Sequence, residues 1–411
     1  MIKEYKLSEI SKQIKSGLTP LRSNIEYWDD GTIPWLKTDQ IGEFKIFDTN
    51  EKITKKALNE TTISVVEENS IALAMYGEGV TRGKVSIIAK PMTTNQACCN
   101  ITLNEELADY RYVYYYLKNS YQILRNLATG VRRNLNSEII KNFKIKLPDI
   151  KKQREIAKKL ELYDKKIELN RSSIKHLDEY SQLLFHQWFI DFNFPNEKGE
   201  PYKDNGGALQ IVNGKTLPLG WDYIELPKVC SIIDCLHSKK PERIDDENGK
   251  VLLQLFNIDE RGLINTTEKY YVSDEDYKLW TSRIEVKGGD LVITNAGRVG
   301  AIAQIPEGYK FGIGRNMTAI RPEKITPTFL YLYFNSSDIA TQIKKNTDQG
   351  SFFGSLNVRG IKQLKIIKPE ERLVKLFEEK SRVIRKKIEL LNIESQNMIE
   401  VRDLLIKKLI G

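Results

Sequence analysis

The sequence predicts an α+β protein made of two mixed α/β domains, each followed by a long helix, with the two helices paired as an antiparallel coiled coil. Three observations lead to this fold class. The segment IKLP at residues 145–148 precedes one long charged stretch, and IIKP at 366–369 precedes another, 221 residues later (369 − 148). The chain has 411 residues, more than one hydrophobic core usually supports. Both charged stretches repeat apolar residues at the heptad spacing of a coiled coil.

The composition is that of a globular protein with a basic balance of charge. Apolar residues make up 40% of the chain and charged residues 29%. Lysine and arginine exceed aspartate and glutamate by 64 to 55, a net charge of +9, which weakly favours nucleic acid as a partner. Residues 1–6 show no apolar signal region, no apolar run is long enough to span a membrane, and four cysteines do not make a disulfide framework. We therefore expect a cytoplasmic protein.

Residues 1–148 are predicted to form the first mixed α/β domain. Strands and helices are expected where short apolar or aromatic runs are bounded by Gly, Pro, Asn and Asp. The aromatic run at residues 112–117 recurs at 329–334, a spacing of 217 (329 − 112), which extends the internal repeat into the domains. The predicted elements are a short helix at 7–14, strands at 45–47, 70–75 and 83–88, and an aromatic helix at about 109–127.

Residues 149–192 and 369–411 are predicted to be the two long helices. In the first, apolar residues alternate at spacings of four and three, with polar breaks at Asn170 and Ser181. Two seams of matching length most simply pack against each other, antiparallel because domains and helices alternate, which gives a pseudo-two-fold axis. The alternative is that each helix packs on its own domain. The seam residues are Ile156, Leu160, Tyr163, Ile167, Ile174, Leu177 and Leu184, then Phe377, Ile384, Ile388, Leu391, Met398 and Leu405.

A turn-rich stretch separates the two copies of the unit. Residues 193–220 are rich in glycine and proline, which predicts a linker. The second mixed α/β domain is then expected at residues 221–368, directly before the second long helix. Each copy therefore consists of one domain and one helix.

The sequence carries no recognisable catalytic, cofactor or metal motif. The glycine-rich segment at 77–84 has five residues between its first and last glycine and no Ser or Thr after its lysine, so it fails the phosphate-binding loop pattern. Cys230, Cys235 and His237 lack a fourth ligand for a tetrahedral zinc site. With three histidines in the chain, no Ser-His-Asp or Cys-His arrangement stands out. We expect a protein that binds rather than catalyses, without a cofactor or a metal.

Three pairs of polar loops supply the residue types that contact DNA. Arg, Lys, Asn and Gln read base edges, and Lys and Arg also hold phosphates. Two basic domains on a rigid helical spacer suit two half-sites on one face of a duplex. The loop pairs are 76–84 with 295–299, 94–96 with 315–316, and 130–136 with 350–357. Their candidate DNA contacts are Arg82, Lys84, Asn95, Gln96, Arg132, Arg133, Asn134, Asn295, Arg298, Arg315, Asn316, Ser351, Phe352 and Asn357.

A structural explanation competes with DNA contact at each pair of loops. The glycine-rich loops fit hairpins with solvated charges, and the second pair fits an ordinary turn. Arg132 and Arg133 give the strongest single indication, since two adjacent arginines in a polar loop are costly to satisfy within a protein. Phe352 and Phe353 hold the equivalent place in the second copy and would stack on bases or wedge between them. Loops that diverge on a shared frame are expected of two DNA readers, and also of drift after duplication.

The chain resembles, over its whole length, the specificity subunit of type I restriction-modification systems. The resemblance is carried by the duplicated domain-plus-helix plan, by IPWLKTDQI at residues 33–41, and by FNFP, GEPYK, GG and PLGW between residues 192 and 221. It implies two target-recognition domains, each reading one half of a split, asymmetric sequence of double-stranded DNA, and a coiled coil that sets the gap. It adds Lys37 as a candidate contact. The second copy has VLLQLFNI at 251–258, without the Trp and the Lys-Thr-Asp, so the Lys37 contact is not expected there.

The resemblance also implies protein partners. Methyltransferase subunits would dock on the helical spine, and a motor-nuclease subunit would join that complex. Adenine methylation and ATP-dependent cleavage would then belong to the partners, and this subunit would have no active site. The alternatives are a complete methyltransferase or nuclease, which the missing motifs disfavour, and a stand-alone scaffold or other two-domain DNA-binding protein without restriction partners.

Overall fold

The computed structural model describes residues 2–77, 79–128, 134–236, 240–246, 248–348 and 354–411. The chain divides into two units, Met1–Ile167 with Met398–Gly411 and Glu168–Asn397. Both units mix helices with short strands, which confirms the predicted α+β class. Each of the two long helices contributes residues to both units. Among the described residues, no helix combines the length and the apolar character needed to cross a bilayer.

The first unit is organised around strands whose side chains are apolar on both faces. Strands β6 and β7 (IALA and VSII) are buried at every position, which is typical of a strand covered on two sides. In the described residues the strands are β1 (Lys3–Lys6), β2 (Ser11–Ser16), β3 (Ile33–Leu36), β4 (Lys45–Ile46), β5 (Glu51–Ile53), β6 (Ile71–Ala74), β7 (Val85–Ile88), β8 (Thr93–Thr94), β9 (Cys98–Leu103) and β10 (Lys144–Leu147). They form a sheet β2-β9-β6-β7-β4, a smaller sheet β5-β3-β8, and a ladder β1-β10.

The helices of the first unit follow local start signals. Asp109 caps the aromatic helix by accepting hydrogen bonds from the backbone N–H groups of Arg111 and Tyr112. The aromatic helix predicted at about 109–127 is two helices, α2 and α3, because the chain leaves helical geometry at Ser120. The helices that begin in this unit are α1 (Lys55–Glu60), α2 (Tyr110–Asn119), α3 (Tyr121–Asn126), α4 (Ser137–Lys141) and α5 (Ile150–Phe189).

The short helix predicted at residues 7–14 is wrong. Leu7–Glu9 forms one 3-10 turn, and the chain then enters strand β2. The apolar spacing of Leu7, Ile10 and Ile14 imitates one face of a helix. Leu7 and Ile10 instead anchor the turn in the core, while β2 pairs antiparallel with β9. Pairing with a strand about ninety residues away overrides the local pattern.

The second unit repeats the same plan. Its strands in the described residues are β11 (Leu209–Val212), β12 (Lys215–Pro218), β13 (Asp222–Glu225), β14 (Cys230–Asp234), β15 (Lys250–Leu253), β16 (Tyr271–Val272), β17 (Val286–Lys287), β18 (Leu291–Thr294), β19 (Ile302–Gln304), β20 (Lys310–Ile313), β21 (Met317–Pro322) and β22 (Lys365–Lys368). Its helices are α6 (Asp274–Trp280), α7 (Pro327–Phe334), α8 (Ser337–Asn346), α9 (Val358–Lys362) and α10 (Glu371–Leu409). The sheet order β14-β21-β18-β19 matches β2-β9-β6-β7, and the ladder β13-β22 matches β1-β10. The duplication seen in the sequence is thus a duplication of topology.

The turn-rich stretch 193–220 is folded onto the second unit. Strands β11 and β12 form an antiparallel hairpin within it. The ring of Phe194 stacks on Tyr202, with centroids 4.6 Å apart, and on Trp221 at 5.2 Å. Phe194 and Trp221 are both buried in the core of this unit. The prolines and glycines therefore shape an ordered connection.

The two long helices pack against each other in antiparallel fashion, as predicted. In the first unit, Asp164 on α5 pairs with Arg402 on α10. In the second unit, Asn170 on α5 donates to Ser395 on α10 at 3.2 Å, and Phe189 lies 5.0 Å from Phe377 between ring centroids. Partner numbers on α10 fall as numbers on α5 rise, which fixes the antiparallel direction.

The alternative in which each helix packs on its own domain also holds, over the first turns. Ile156 and Leu160 of α5 belong to the core of the first unit. Phe377 of α10 belongs to the core of the second unit. Each helix therefore begins in the core of its own domain, and α5 also ends in the core of the second unit, where Phe189 contacts both Phe377 and Phe329.

Candidate nucleic-acid interface

The three predicted loops of the first unit meet beyond the end of β6, a central strand of its larger sheet, and together form what is called here the loop edge. Met75, which follows β6, donates its backbone N–H to the carbonyl of Ala97 at 2.8 Å. The carbonyl of Met75 accepts from the N–H of Leu135 at 3.1 Å. One residue at the end of β6 thus joins the loops at 76–84, 94–96 and 134–136.

The second unit has the same pair of hydrogen bonds at the equivalent place. Asn295, which follows β18, donates its backbone N–H to the carbonyl of Asn316 at 2.8 Å. Its own carbonyl accepts from the N–H of Leu356 at 2.8 Å. The loops at 295–299, 315–316 and 354–357 therefore converge just as their counterparts do. The repeated pattern gives each unit one edge built from three loops.

The glycine-rich loop of the first unit is held by α3. Tyr121 donates its hydroxyl to the carbonyl of Val80 at 2.7 Å, and Arg125 donates to the Tyr121 hydroxyl at 2.6 Å. Gly83 has a φ of +86°, and Gly300 in the equivalent loop has +79°, a region that disfavours any side chain. These contacts place the half-buried side chains of Arg82 and Lys84 on a defined loop.

Lys37 lies in a small group of charges on the first unit. Its ammonium is 2.5 Å from a carboxylate oxygen of Glu51 and 4.0 Å from Asp39, and Arg22 also pairs with Glu51. The hydrogen bond to Glu51 raises the pKa of Lys37, and the bond from Arg22 lowers the pKa of Glu51. Lys37 is thus charged and already has a carboxylate partner.

Several predicted DNA contacts have structural partners that the sequence could not reveal. The side-chain oxygen of Asn95 accepts from the N–H of Ala97 at 3.1 Å. Asn295 donates to the carbonyl of Leu356 at 2.8 Å, and Arg298 donates to the carbonyls of Ile258 and Asp259 at 2.9 and 2.6 Å. Asn357 caps α9 by accepting from the N–H of Gly360 at 2.9 Å. These side chains shape the loops, and their DNA contact stays a prediction.

The remaining predicted residues are exposed or half-buried at the loops, or lie outside the described ranges. Arg315 and Asn316 are exposed in the turn between β20 and β21, and Asn316 has a φ of +61°. Gln96 is exposed and accepts a hydrogen bond from Thr19, and Asn134 is half-buried. Arg132, Arg133, Ser351 and Phe352 lie in 129–133 and 349–353, outside the described residues.

Two cations near these edges were not among the predicted residues. The guanidinium of Arg22 lies 3.7 Å from the ring centroid of Trp28, and the ammonium of Lys240 lies 3.9 Å from that of Tyr270. Both follow the first strand of the larger sheet in their unit, β2 or β14. That equivalence within the repeat is the signal in the sequence that could have found them.

The cysteines behave as buried apolar side chains. Burial raises the pKa of Cys98, Cys99 and Cys230 to about 12, so these thiols stay protonated. Within the described ranges, no three His, Cys, Asp or Glu side chains cluster as metal ligands would. His237 lies outside those ranges.

Comparison with known proteins finds sequences similar to this chain. Residues 2–179 match the model of the type I restriction modification DNA specificity domain. The chain is 25% identical to the type I restriction enzyme MjaIX specificity subunit of Methanocaldococcus jannaschii, over 97% of this chain and 90% of that relative. The chain is thus similar to a type I specificity subunit over nearly its whole length.

Two further similarities bear on this chain. It is 27% identical to the EcoR124I/EcoR124II specificity subunit of Escherichia coli, over 44% of this chain and 47% of that relative. The crystal structure of the type I restriction-modification S subunit from M. genitalium shares its fold, with a TM-score of 0.60 at 17% identity, over 100% of this chain and 96% of that one. The fold with two domains and a coiled coil is therefore that of a solved S subunit.

Proposed function

We propose that this protein is the specificity subunit of a type I restriction-modification complex and its non-catalytic DNA reader, with each unit reading one half of a bipartite, asymmetric site. The observation that carries the proposal is the convergence of three polar loops at one edge in both units, through the same two backbone hydrogen bonds. A shared frame fixes where the loops stand, and their side chains differ between the units. Such an arrangement suits two readers of different sequences.

The side chains assigned to DNA contact are drawn from the loop residues that are exposed or partly exposed. In the first unit they are Arg82, Lys84 and Gln96, with Arg132 and Arg133 as predicted from the sequence. In the second unit Arg315 and Asn316 present a cation and an amide at the tip of one turn. Arginine suits bidentate contact with guanine, and asparagine suits adenine. Asn95, Asn295, Arg298 and Asn357 are assigned to holding the loops in place.

Mapping methylated adenines across the genome, with and without this gene, tests the proposal. We expect a split sequence motif that disappears on deletion. Complementing the deletion with Arg132→Ala plus Arg133→Ala is expected to relax one half of the motif, and Arg315→Ala the other half, because each loop edge belongs to a different unit. A change in both halves from either variant, or in neither, would refute the assignment of one half-site to each unit.

We also assign the docking of methyltransferase subunits to a second stripe on the long helices. Leu162, Leu169 and Leu183 on α5 occur at multiples of seven residues and are more than half exposed. Val383, Leu390 and Leu404 on α10 repeat them 221 residues later, for example 383 − 162, and are also more than half exposed. The positions between them hold exposed His176 and Asn397. An exposed apolar heptad stripe is the surface that a partner helix covers.

Two equivalent stripes support docking of two copies of the same partner. Leu169→Glu with Leu183→Glu, both within the second unit, is expected to abolish co-purification with the methyltransferase subunit, because the glutamates would lie in an apolar contact. Lys158→Glu, an exposed position of the same helix outside the stripe, is the matched control and should leave co-purification intact. Undiminished co-purification of the double variant would rule out this surface.

A further inference from the structure

The guanidinium of Arg22 in the first unit is held by two aromatic rings and a carboxylate. Its central carbon lies 3.7 Å from the ring centroid of Trp28 and 4.7 Å from that of Trp35, and its Nη1 donates to the carboxylate of Glu51. The side chain is nevertheless about half exposed. The bond to Glu51 does not use the donors on Nε and Nη2, so Arg22 combines a fixed position with donors for a ligand.

The two rings beside Arg22 are themselves fixed by the segment that carries it. The indole N–H of Trp28 donates to the carbonyl of Leu21 at 3.2 Å, and that of Trp35 donates to the carbonyl of Leu18 at 2.9 Å. The two rings meet edge to face, with centroids 5.0 Å apart, and Trp35 is buried. Arg22 therefore lies on aromatic rings whose orientation is set by hydrogen bonds and packing.

The segment of Arg22 is hydrogen-bonded to one of the three loops that form the loop edge. The backbone N–H of Leu18 donates to the carbonyl of Thr94 at 2.9 Å, and the hydroxyl of Thr19 donates to the side chain of Gln96. Gln96 is exposed and is itself a candidate DNA contact. Arg22 follows Thr19 by three residues, a span of no more than about 11 Å of extended chain. Arg22 consequently lies beside the loop edge.

The second unit repeats the pair of arginine and glutamate. Glu268 is the repeat equivalent of Glu51, since 268 − 51 is 217, and its carboxylate lies 3.7 Å from the guanidinium of Arg243. Arg22 and Arg243 both belong to the segment that follows the first strand of the larger sheet, β2 or β14. Exposed ion pairs contribute little to stability, so the recurrence of this pair is better explained by the placement of the arginines.

We propose that Arg22, positioned by Glu51, reads a guanine in the half-site that the first unit contacts. This rests on the proposed function. Arginine donates two hydrogen bonds to O6 and N7 of guanine in the major groove, a contact that requires a well-placed guanidinium. The ammonium of Lys37 is 2.5 Å from the second oxygen of Glu51, so both carboxylate oxygens are paired with cations on the side that would face DNA. Glu51 acts through Arg22 and is a positioning residue.

Mapping methylated adenines in a deletion strain complemented with variants of the full chain tests the proposal. Arg22→Ala is expected to make one G·C position in one half of the motif degenerate, because a bidentate contact discriminates between bases about tenfold. Arg22→Lys keeps a cation for Glu51, so it controls for loss of folding, and should relax the same position because an ammonium lacks the planar fork. Glu51→Gln should relax that position in part.

Two variants control for the loss of an exposed cation. Lys56→Met removes the cation of another exposed ion pair of the first unit, with Glu26 at 2.6 Å, and should leave the motif unchanged. Arg243→Met, in the second unit, should leave the half that Arg22 reads unchanged. A change of that half in either control would overturn the assignment to Arg22.

The remaining outcomes separate this proposal from the proposed function. An unchanged motif in Arg22→Ala would remove Arg22 as a reader and leave the proposed function standing. A G·C position that is lost in Arg22→Ala and kept in Arg22→Lys would make Arg22 a phosphate contact and overturn base reading. Absence of any split motif with the unaltered gene would overturn the proposed function as well.

Discussion

A buried ion pair joins α5 to α10 in the first unit. Arg402 on α10 pairs with Asp164 on α5, and both side chains are less than a tenth exposed. The hydroxyl of Tyr115 donates to the other oxygen of Asp164 at 2.6 Å. Burial and the charge of Asp164 raise the pKa of Tyr115 well above its usual value, so this hydroxyl remains a donor. The carboxylate of Asp164 therefore accepts one hydrogen bond from α10 and another from α2.

Replacing Arg402 by Met is expected to lower the free energy of unfolding by about 3–5 kcal/mol, because Asp164 would keep a buried charge without its cation. The urea midpoint of the full chain measures this. Asp164→Asn combined with Arg402→Met removes both charges and should recover much of the loss. If the single variant unfolded at the same urea concentration as the parent chain, the pair would not stabilise the first unit.

At the scale of single residues, the sequence located the polar loops but could not show the hydrogen-bond partners of their side chains. Asn295 and Arg298 have the right chemistry for DNA, yet their donors are used by backbone carbonyls far along the chain. Asn357 has an equivalent in Asn136, and each caps a short helix. Capping is a local pattern that the sequence could have shown. The carbonyl partners of Arg298, about forty residues away, depend on tertiary structure.

The equivalent helices α2 and α7 begin in different ways. Asp109 caps α2 through the backbone N–H groups of Arg111 and Tyr112 and also pairs with the Arg111 side chain at 2.8 Å. Thr326 precedes α7 without a side-chain cap, and Pro327 takes the first position of that helix. Proline there needs no N–H partner and is already set to the helical φ. The side chain of Asp109 therefore stabilises the start of α2, whereas Pro327 stabilises the start of α7.

Asp109→Ala is expected to lower the free energy of unfolding by about 1–2 kcal/mol, since two backbone N–H groups lose their acceptor. Thr326→Ala is the matched change in the second unit and should shift stability by less than about 0.5 kcal/mol. Thermal unfolding of the two variants measures the contrast. Equal shifts would mean that the side chain of Asp109 does not stabilise the start of α2.

At the scale of elements, long-period patterns were predictable and short ones were not. The predicted bounds of the two long helices, 149–192 and 369–411, lie within three residues of the observed ends. A heptad pattern that continues over about forty residues is little affected by single exceptions. The error at residues 7–14 came from three apolar residues, too few to separate a helix from a turn followed by a strand. The aromatic helix was found, but its break at Ser120 was missed.

At the scale of the whole chain, duplication explains the shared frame and locates the differences. The order β5-β3-β8 in the first unit matches β16-β15-β20 in the second, where β17 adds a strand. The larger sheet of the first unit instead carries β4 as an extra edge strand. The sequence repeat predicted the shared frame. It could not predict the meeting of three loops, since that depends on hydrogen bonds between Met75, Ala97 and Leu135.

The charges along the helix seam bear on self-association. Because α5 and α10 repeat each other at 221 residues, a second copy of the chain offers each helix a partner of similar shape. Arg385 on α10 is the repeat equivalent of Asp164 on α5, since 385 − 164 is 221. If two α10 helices paired in the register that α5 and α10 adopt, Arg402 of one helix would therefore face Arg385 of the other. Asp178 on α5 interacts with Arg385 on α10 in the second unit. If two α5 helices paired in the same register, Asp164 would take the place of Arg385, and Asp178 would face a second carboxylate. Burying like charges is costly, so the seam disfavours like-with-like dimers and keeps each helix paired with its unlike copy.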